Sequence, residues 1–288
     1  MEGKKTTKKK KILIIGAGQM GSGIAQVSVE NGYEVEIEDI NLSYVQESIQ
    51  SIFSRWEKSC KKGKKSESEI KSYKKNITVF TKKEYSGFEF IIEAVSEDEK
   101  IKKEIFKKIG RTVSEETILG SNTSSISITE LAKSSGFPER FIGIHFMNPV
   151  PIMPLVEVIE GKKTSEKTTR KTLDFVKKIH KKPAKSKDKP GFISNKILMP
   201  MINEAIETLE SKTGTKEDID TVMELGMRHP LGPLKLADLI GLDTCLAIMN
   251  VLHDGFNDPK YKPSKLLIQK VSEKKLGRKT GEGFYKYN

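Results

Sequence analysis

Residues 14–26 read IIGAGQMGSGIAQ, with Gly16, Gly18 and Gly21 set into the mouth of an apolar run. The β-branched stretch before Gly16 predicts a strand. Beyond it Met20, Ile24, Ala25, Val27 and Val29 recur at roughly helical spacing up to the stop signal Asn31-Gly32. A strand that turns sharply, brings its backbone against an anion and packs a helix onto itself needs glycine at those three places. The anion implied is a pyrophosphate, met by the unpaired amides of the helix N-terminus, with Gln19 and Met20 in the same turn. A bare G-x-G-x-x-G is weak, because glycine is common in turns. Here a second predicted strand follows, and Asp39 stands at its tip, eighteen residues after Gly21, able to accept from both adenosine ribose hydroxyls. A 2′-phosphate would face Glu38 and Asp39 together with no arginine nearby, so NAD is favoured over NADP.

Outward from this unit, residues 42–75 read as charged helices, an insertion before the next strand, because Val45, Ile49, Ile52, Phe53 and Trp56 recur at three- or four-residue steps. Apolar runs at 90–94, 118–121 and 141–145 are separated by helical segments such as 99–109, the alternation of a parallel sheet covered on both faces. Residues 155–159 and 183–186 are further strand candidates. After Lys189-Pro190-Gly191 the strand signals vanish. A long amphipathic helix with Pro200 as a kink follows, then helical stretches at 216–226, 234–253 and 263–275. Residues 234–252 are apolar nearly all round, as in a buried or subunit-contacting helix. The expected fold is α/β: a Rossmann-type doubly wound, mostly parallel sheet with a helical insertion over residues 11–189, then an all-α domain over 190–288. Residues 1–10 read as a disordered Lys-rich tail.

The 288 residues, 36% hydrophobic and 31% charged, have the composition of a globular protein with a sizeable core. No window approaches the roughly eighteen consecutive apolar residues of a membrane span, and MEGKKTTKKKK lacks the apolar segment of a secretory signal. The two cysteines, Cys60 and Cys245, show no pairing or metal-ligand pattern, which suits a reducing cytoplasm and predicts no metal site. Of the net charge of +12, residues 1–11 supply five, and aromatic residues make up only 7%, so no nucleic-acid surface is expected. One basic cluster stands apart. RWEKSCKKGKK, residues 55–65, carries six basic residues against Glu57 and is either a solvated helix end or a dock for a polyanion such as the phosphates of coenzyme A.

Hydride transfer from an alcohol needs a base for the hydroxyl proton and donors that hold the oxygen. Of four histidines, His180, His229 and His253 read as surface or packing residues. His145 ends a strand at the carboxyl edge where ligands bind in such folds and leads into the rigid turn FMNPVP. Glu157 lies in the apolar run LVEVI, where an unpaired acid is costly, so a partner such as His145 is physically demanded; an edge-strand glutamate facing solvent is the alternative. Ser121-Asn122-Thr123-Ser124-Ser125 follows another strand end, placing hydroxyl and amide groups at the same edge or capping a helix.

GAGQMGSGIAQ, EAVSEDEKIKKEIF, SNTSSISITELA, HFMNPVPIMPLVEVI, KPGFISNKILMPMINEAI, HPLGPLKLADLIGLDTCLAIMNVL and KKLGRKTGEGFYKY occur in that order. Together they resemble the 3-hydroxyacyl-CoA dehydrogenase family over residues 11–288, nearest its single-chain bacterial 3-hydroxybutyryl-CoA members. The resemblance implies that His145 is the base for the C3 hydroxyl, that Glu157 orients its imidazole and stabilises the charged form, and that Ser124 and Asn195 hold the C3 oxygen. It further implies that Glu97, Lys102 and Asn122 lie at the nicotinamide end of the cofactor. By the same resemblance the basic insertion, with Arg55, Lys58 and Lys62, meets coenzyme A, and the C-terminal helices form a homodimer. Met147 stands where an aromatic residue is usual in the family, and Pro154 where a lysine often precedes LVEVI. Neither removes a reacting group. Two other readings remain: an oxidoreductase of free sugar acids such as L-gulonate, which keeps a similar Ser, His, Glu and Asn arrangement, and a non-catalytic crystallin-like or nucleotide-binding protein.

Overall fold

The computed structural model describes residues 10–82 and 84–287, so the expected tail lies outside the described residues except for Lys10. Lys10 is already tied to the sheet, its carbonyl accepting from Glu34 N at 3.1 Å and its ammonium meeting Glu89 at 2.5 Å.

The chain divides between Asp188 and Lys189 into two compact units. The first opens with β1 (Lys11–Ile15), α1 (Gln19–Glu30) and β2 (Glu34–Glu38), then the insertion α2 (Leu42–Lys61) and α3 (Glu67–Lys75). There follow β3 (Ile77–Val79), β4 (Phe90–Glu93), α4 (Glu99–Ile109), β5 (Ile118–Ser121) and α5 (Ile128–Ser135). The unit closes with β6 (Phe141–Phe146), β7 (Leu155–Glu160), α6 (Glu166–Lys178) and β8 (Lys182–Lys187). The sheet order is β3-β2-β1-β4-β5-β6-β7-β8, parallel throughout except where β6 meets β7. Strand order reverses between β1 and β4, and the crevice beyond their carboxyl ends is where such sheets bind ligands.

The central strands are buried on both faces, which is why β4 and β6 are apolar up to Glu93 and His145 near their carboxyl ends. On β2, nearer the edge, burial alternates, and Glu36 and Glu38 on its open face meet Lys82 and Lys108. The insertion is anchored by Trp56, fully buried, whose indole N–H donates to Glu30 Oε1 at 2.7 Å and so ties α2 to α1. The short β3 is additional to the elements expected from the sequence.

The second unit comprises α7 (Ser194–Glu210), α8 (Lys216–Thr221), α9 (Pro233–Ile240), α10 (Leu242–Phe256) and α11 (Lys265–Ser272), with a π-helical turn at Val222–Gly226. Its core gathers Ile202, Ile206, Leu234, Leu242, Met249 and Leu252, among others. Pro200 lies inside α7, as expected. The single helix expected over 234–253 is instead two, bent by 98° at Gly241. Gly241 takes φ +101°, and a Cβ there would lie 3.0 Å from Asp243 Oδ1 and 3.1 Å from Lys279 Nζ. The apolar periodicity is continuous across the bend, so the pattern alone cannot reveal it. Among the described residues no single helix is long and apolar enough to cross a membrane.

Candidate functional site

The glycine turn has the geometry its residue types demand. Gly16 follows β1 with φ +108°, and a Cβ on it would strike Ala94 O at 2.5 Å; a Cβ on Gly21 would lie 1.8 Å from Gly16 O, so only glycine lets α1 pack this close. Gly18 is the N-cap of α1 and offers no side chain to the first amides, while a Cβ on it would meet nothing within 4 Å. The open side is a cleft of about 780 Å³, lined by Gly16, Ala17, Gly18 and Gln19 at the helix end and by Asp39 and Ile40 beyond β2. Met20 points its side chain instead to the core behind the turn. Asp39 is locked in place, Oδ2 accepting from Ala17 N at 2.6 Å and Oδ1 from Ile40 N at 2.7 Å. A diphosphate on the uncapped amides and a ribose diol on Asp39 fit this donor and acceptor set, with Ile40, Tyr44 and Ile101 as apolar walls for a flat base. Beside Asp39, Glu38 Oε1 already accepts from Tyr85 Oη at 2.9 Å and Lys108 Nζ at 3.0 Å, so a further phosphate would meet two carboxylates there.

At the ends of β4 and β5 a second cluster forms. Glu97 Oε1 accepts from Thr123 Oγ1 at 2.6 Å, from Ser124 N at 2.9 Å and Ser125 N at 3.0 Å, and from the Ser125 and Ser124 hydroxyls at 3.1 and 3.2 Å. Burial pushes the Glu97 carboxyl up, but the Lys102 ammonium and this ring of donors outweigh it and hold the group below its ordinary range. Lys102 is buried, its Nζ 3.5 Å from Glu97 Oε2 and 2.5 Å from Glu93 Oε1. Asn122 is fixed by accepting from Phe146 N at 2.9 Å, which couples the end of β5 to the residue after His145.

His145 and Glu157 come from the one antiparallel pair in the sheet. The loop between β6 and β7, with a cis Asn148-Pro149 bond, reverses the chain so that the two residues stand directly opposite each other in register. Opposed residues share a face of the sheet. Nδ1 of His145 lies 2.9 Å from Glu157 Oε2, with His145 9% and Glu157 1% exposed. A carboxylate only accepts, so in the neutral imidazole Nδ1 carries the hydrogen and Nε2 the lone pair. The loop is pinned from behind by Lys181, whose ammonium donates to Val150 O at 2.6 Å and Met153 O at 2.7 Å.

Arg55 does not project from the basic stretch as a free cation. Its Nε donates to Gln26 Oε1 at 2.6 Å and its two terminal nitrogens to Ser51 and Ser22 hydroxyls at 2.8 and 2.7 Å, which turns it onto α1 and the edge of the cleft. Lys58 and Lys62 remain exposed at the last turn of α2, where their charge also complements the helix dipole. Asn195 belongs to the second unit, buried in the first turn of α7. Among the described residues no group of three or more His, Cys, Asp or Glu could hold a metal ion.

Two participants, Glu93 and Lys181, escaped the sequence reading. Glu93 carries the same signal as Glu157, an acid closing an apolar run, here FIIE. Ser121 donates to Glu93 Oε2 at 2.6 Å. Lys181 had no signal, since it is one of many lysines in its stretch and only burial separates it from them.

Comparison with known proteins gives a consistent result. The family model for the 3-hydroxyacyl-CoA dehydrogenase NAD binding domain matches residues 11–189, and that for the C-terminal domain of the same family matches residues 191–287. A probable 3-hydroxybutyryl-CoA dehydrogenase of Deinococcus radiodurans is 48% identical over 274 residues, covering 95% of this chain and 99% of that protein. The 3-hydroxybutyryl-CoA dehydrogenase of Bradyrhizobium diazoefficiens is 46% identical over 279 residues, 96% of this chain and 95% of that one. The crystal structure of (S)-3-hydroxybutyryl-CoA dehydrogenase from Ralstonia eutropha matches with a TM-score of 0.95 at 44% identity, covering 98% of this chain and 100% of that one.

Proposed function

The chain belongs to the 3-hydroxyacyl-CoA dehydrogenase family, and from that premise we propose that it interconverts (S)-3-hydroxybutyryl-CoA and acetoacetyl-CoA, with His145 and Glu157 as its proton-handling pair. It is an NAD-dependent oxidoreductase. The observation that carries the site assignment is the 2.9 Å contact between Nδ1 and Glu157 Oε2, made by residues paired across the only antiparallel step of the sheet.

In this reading Nε2 of His145 takes the proton from the C3 hydroxyl, and Glu157 stabilises the imidazolium that forms. When bound, NAD supplies the acceptor for the hydride from C3. Ser124 and Asn195 hold the C3 oxygen, and in the reverse direction the same groups polarise the ketone while Nε2 returns the proton. Gly16, Gly18, Gln19, Met20 and Gly21 hold the diphosphate through backbone amides, Asp39 the ribose, and Glu97, Lys102 and Asn122 the nicotinamide end. Lys58 and Lys62 face the phosphates of coenzyme A, with Arg55 bracing the same helix against α1.

A second copy of the chain is the proposed protein partner. The second unit leaves Val222, Leu225 and Met227 exposed by 57%, 79% and 61%, beside an apolar groove of about 440 Å³ that includes Met201, Ala205 and Ile219. Patches of this kind mark contact surfaces. A cytoplasmic location is part of the same reading, supported by two cysteines that are both free thiols.

The test follows NADH absorbance with acetoacetyl-CoA, set against NAD reduction with L-gulonate, in the parent and in His145→Ala. Rapid NADH oxidation by the parent, lost in the variant, is expected. Turnover of gulonate alone would reject the acyl-CoA reading, and activity undiminished in His145→Ala would reject the assignment of the base.

A further inference from the structure

Glu93 is the most completely enclosed carboxylate in the first unit, 0% exposed, and the proposed mechanism gives it no part. A buried acid without compensation is costly, so what surrounds it shows what it does. Its Oε1 lies 2.5 Å from the Lys102 ammonium and accepts from Val95 N at 2.7 Å, and its Oε2 accepts from Ser121 Oγ at 2.6 Å. The donors come from α4 (Lys102), from the turn that leaves β4 (Val95) and from the last residue of β5 (Ser121), all near the carboxyl edge of the sheet.

Lys102 has a second carboxylate within reach, Glu97 Oε2 at 3.5 Å, a full ångström farther than Glu93. The ammonium is therefore held by Glu93 and only leans towards Glu97. That asymmetry has a consequence for Glu97, whose other oxygen is shared among the donors of Thr123, Ser124 and Ser125. If Lys102 were released from Glu93, it would close on Glu97 and draw that carboxylate away from the serine turn. Two carboxylates competing for one buried ammonium thus set the position of both.

We propose that Glu93 is a positioning residue of the cofactor site: by fixing the Lys102 ammonium it sets where Lys102 and Glu97 meet the nicotinamide end of NAD. This rests on the reading that Lys102 and Glu97 contact the cofactor, and the test separates the two.

The dissociation constant for NADH is measured by fluorescence for the full chain and for Glu93→Gln, Lys102→Met and the double variant, each with its thermal melt. Thr117→Val serves as a control, removing a buried hydroxyl that donates to Phe88 O away from the cleft. Glu93→Gln keeps the shape and removes the charge. It should weaken NADH roughly ten- to hundred-fold, the scale of a hydrogen bond to a charged group. The control should lose thermal stability and keep its affinity. In the Lys102→Met background, Glu93→Gln should add no further loss, because Glu93 acts through Lys102. Parent-like affinity in folded Glu93→Gln, with Lys102→Met impaired, overturns the proposal and leaves the cofactor reading standing. Parent-like affinity in Lys102→Met overturns both. Should Glu93→Gln fail to fold, the double variant, neutral at both positions, still decides: NADH binding weaker than in Lys102→Met alone overturns the proposal.

Discussion

The two units bury acids in opposite ways. In the second unit Asp238 accepts from Phe284 N, Tyr285 N and Tyr287 Oη, each at 2.9 Å, and Asp220 accepts from Leu234 N at 2.9 Å and Tyr285 Oη at 2.8 Å. These partners are amides and phenols that keep their hydrogens at neutral pH, so the carboxylates act as fasteners that fold the C-terminal segment onto α8 and α9. In the first unit Glu157 faces an imidazole and Glu93 an ammonium. Burial alone therefore does not mark a reacting acid. The chemistry of its partner does: an imidazole, which can pass a proton on, marks a reacting acid, an ammonium marks a positioning one, and a set of fixed donors makes a joint.

The difference is broken most forcefully at His145. Replacing it by asparagine, whose amide can still donate to Glu157, should lower kcat by about 10²–10⁴-fold, the scale of general acid–base catalysis, with little change in melting temperature. Asp238→Asn should do the reverse. It leaves at least one of the three donors, which are buried or part-buried, poorly matched, for a loss of about 1–3 kcal/mol in urea unfolding, while kcat per folded molecule stays at the parent value. A fall in kcat for Asp238→Asn, or a large loss of stability for His145→Asn, would show that the two regions are not distinct in this sense.

The legibility of these regions follows from the range of the interactions involved. The glycine turn is readable because its requirements are local: a positive φ at Gly16 and a forbidden Cβ at Gly21 constrain those residues whatever surrounds them. The contact between His145 and Glu157 is readable because an acid in LVEVI demands a partner and a short rigid loop limits where it can be found. The same reasoning applied to FIIE would have found Glu93, but its partners lie on α4 and β5, and spacing does not announce them. The break at Gly241 and the short β3 are hidden for a different reason. Apolar residues lie on both sides of Gly241, so the helical period runs on through it, and three residues of Ile77–Val79 are too few to set a period.

Glu97 sits between the two kinds of acid, since it has both an ammonium and a ring of fixed donors. Its folded-state carboxyl lies below the ordinary value of 4.5, so the unfolded chain binds a proton first as the pH falls. The stability it contributes is fully present above that ordinary value and is lost as the pH drops through the lowered one. In Glu97→Gln the melting temperature should fall less steeply between about pH 5 and pH 3 than in the parent. A parallel acid limb in the two proteins would mean that the ring of donors does not distinguish the charged form.

The smallest effect is expected at Tyr287, where the second unit's fasteners meet a titratable group at the far end of the pH scale. Burial, followed by the Asp238 carboxylate, pushes its phenol from 10 up to about 12. The folded protein therefore keeps a proton that the unfolded chain gives up. Stability from this group is complete below the lower of those values and declines as the pH rises through the higher. Tyr287→Phe removes one hydrogen bond to Asp238 and leaves the two amides in place. At neutral pH the loss should be about 0.5–1.5 kcal/mol, and the alkaline decline should become shallower, because phenylalanine has no proton to lose. Alkaline melting curves that fall at the same slope in both proteins would show that Asp238 depends on its amides alone, and that its fastening role does not extend to the phenol.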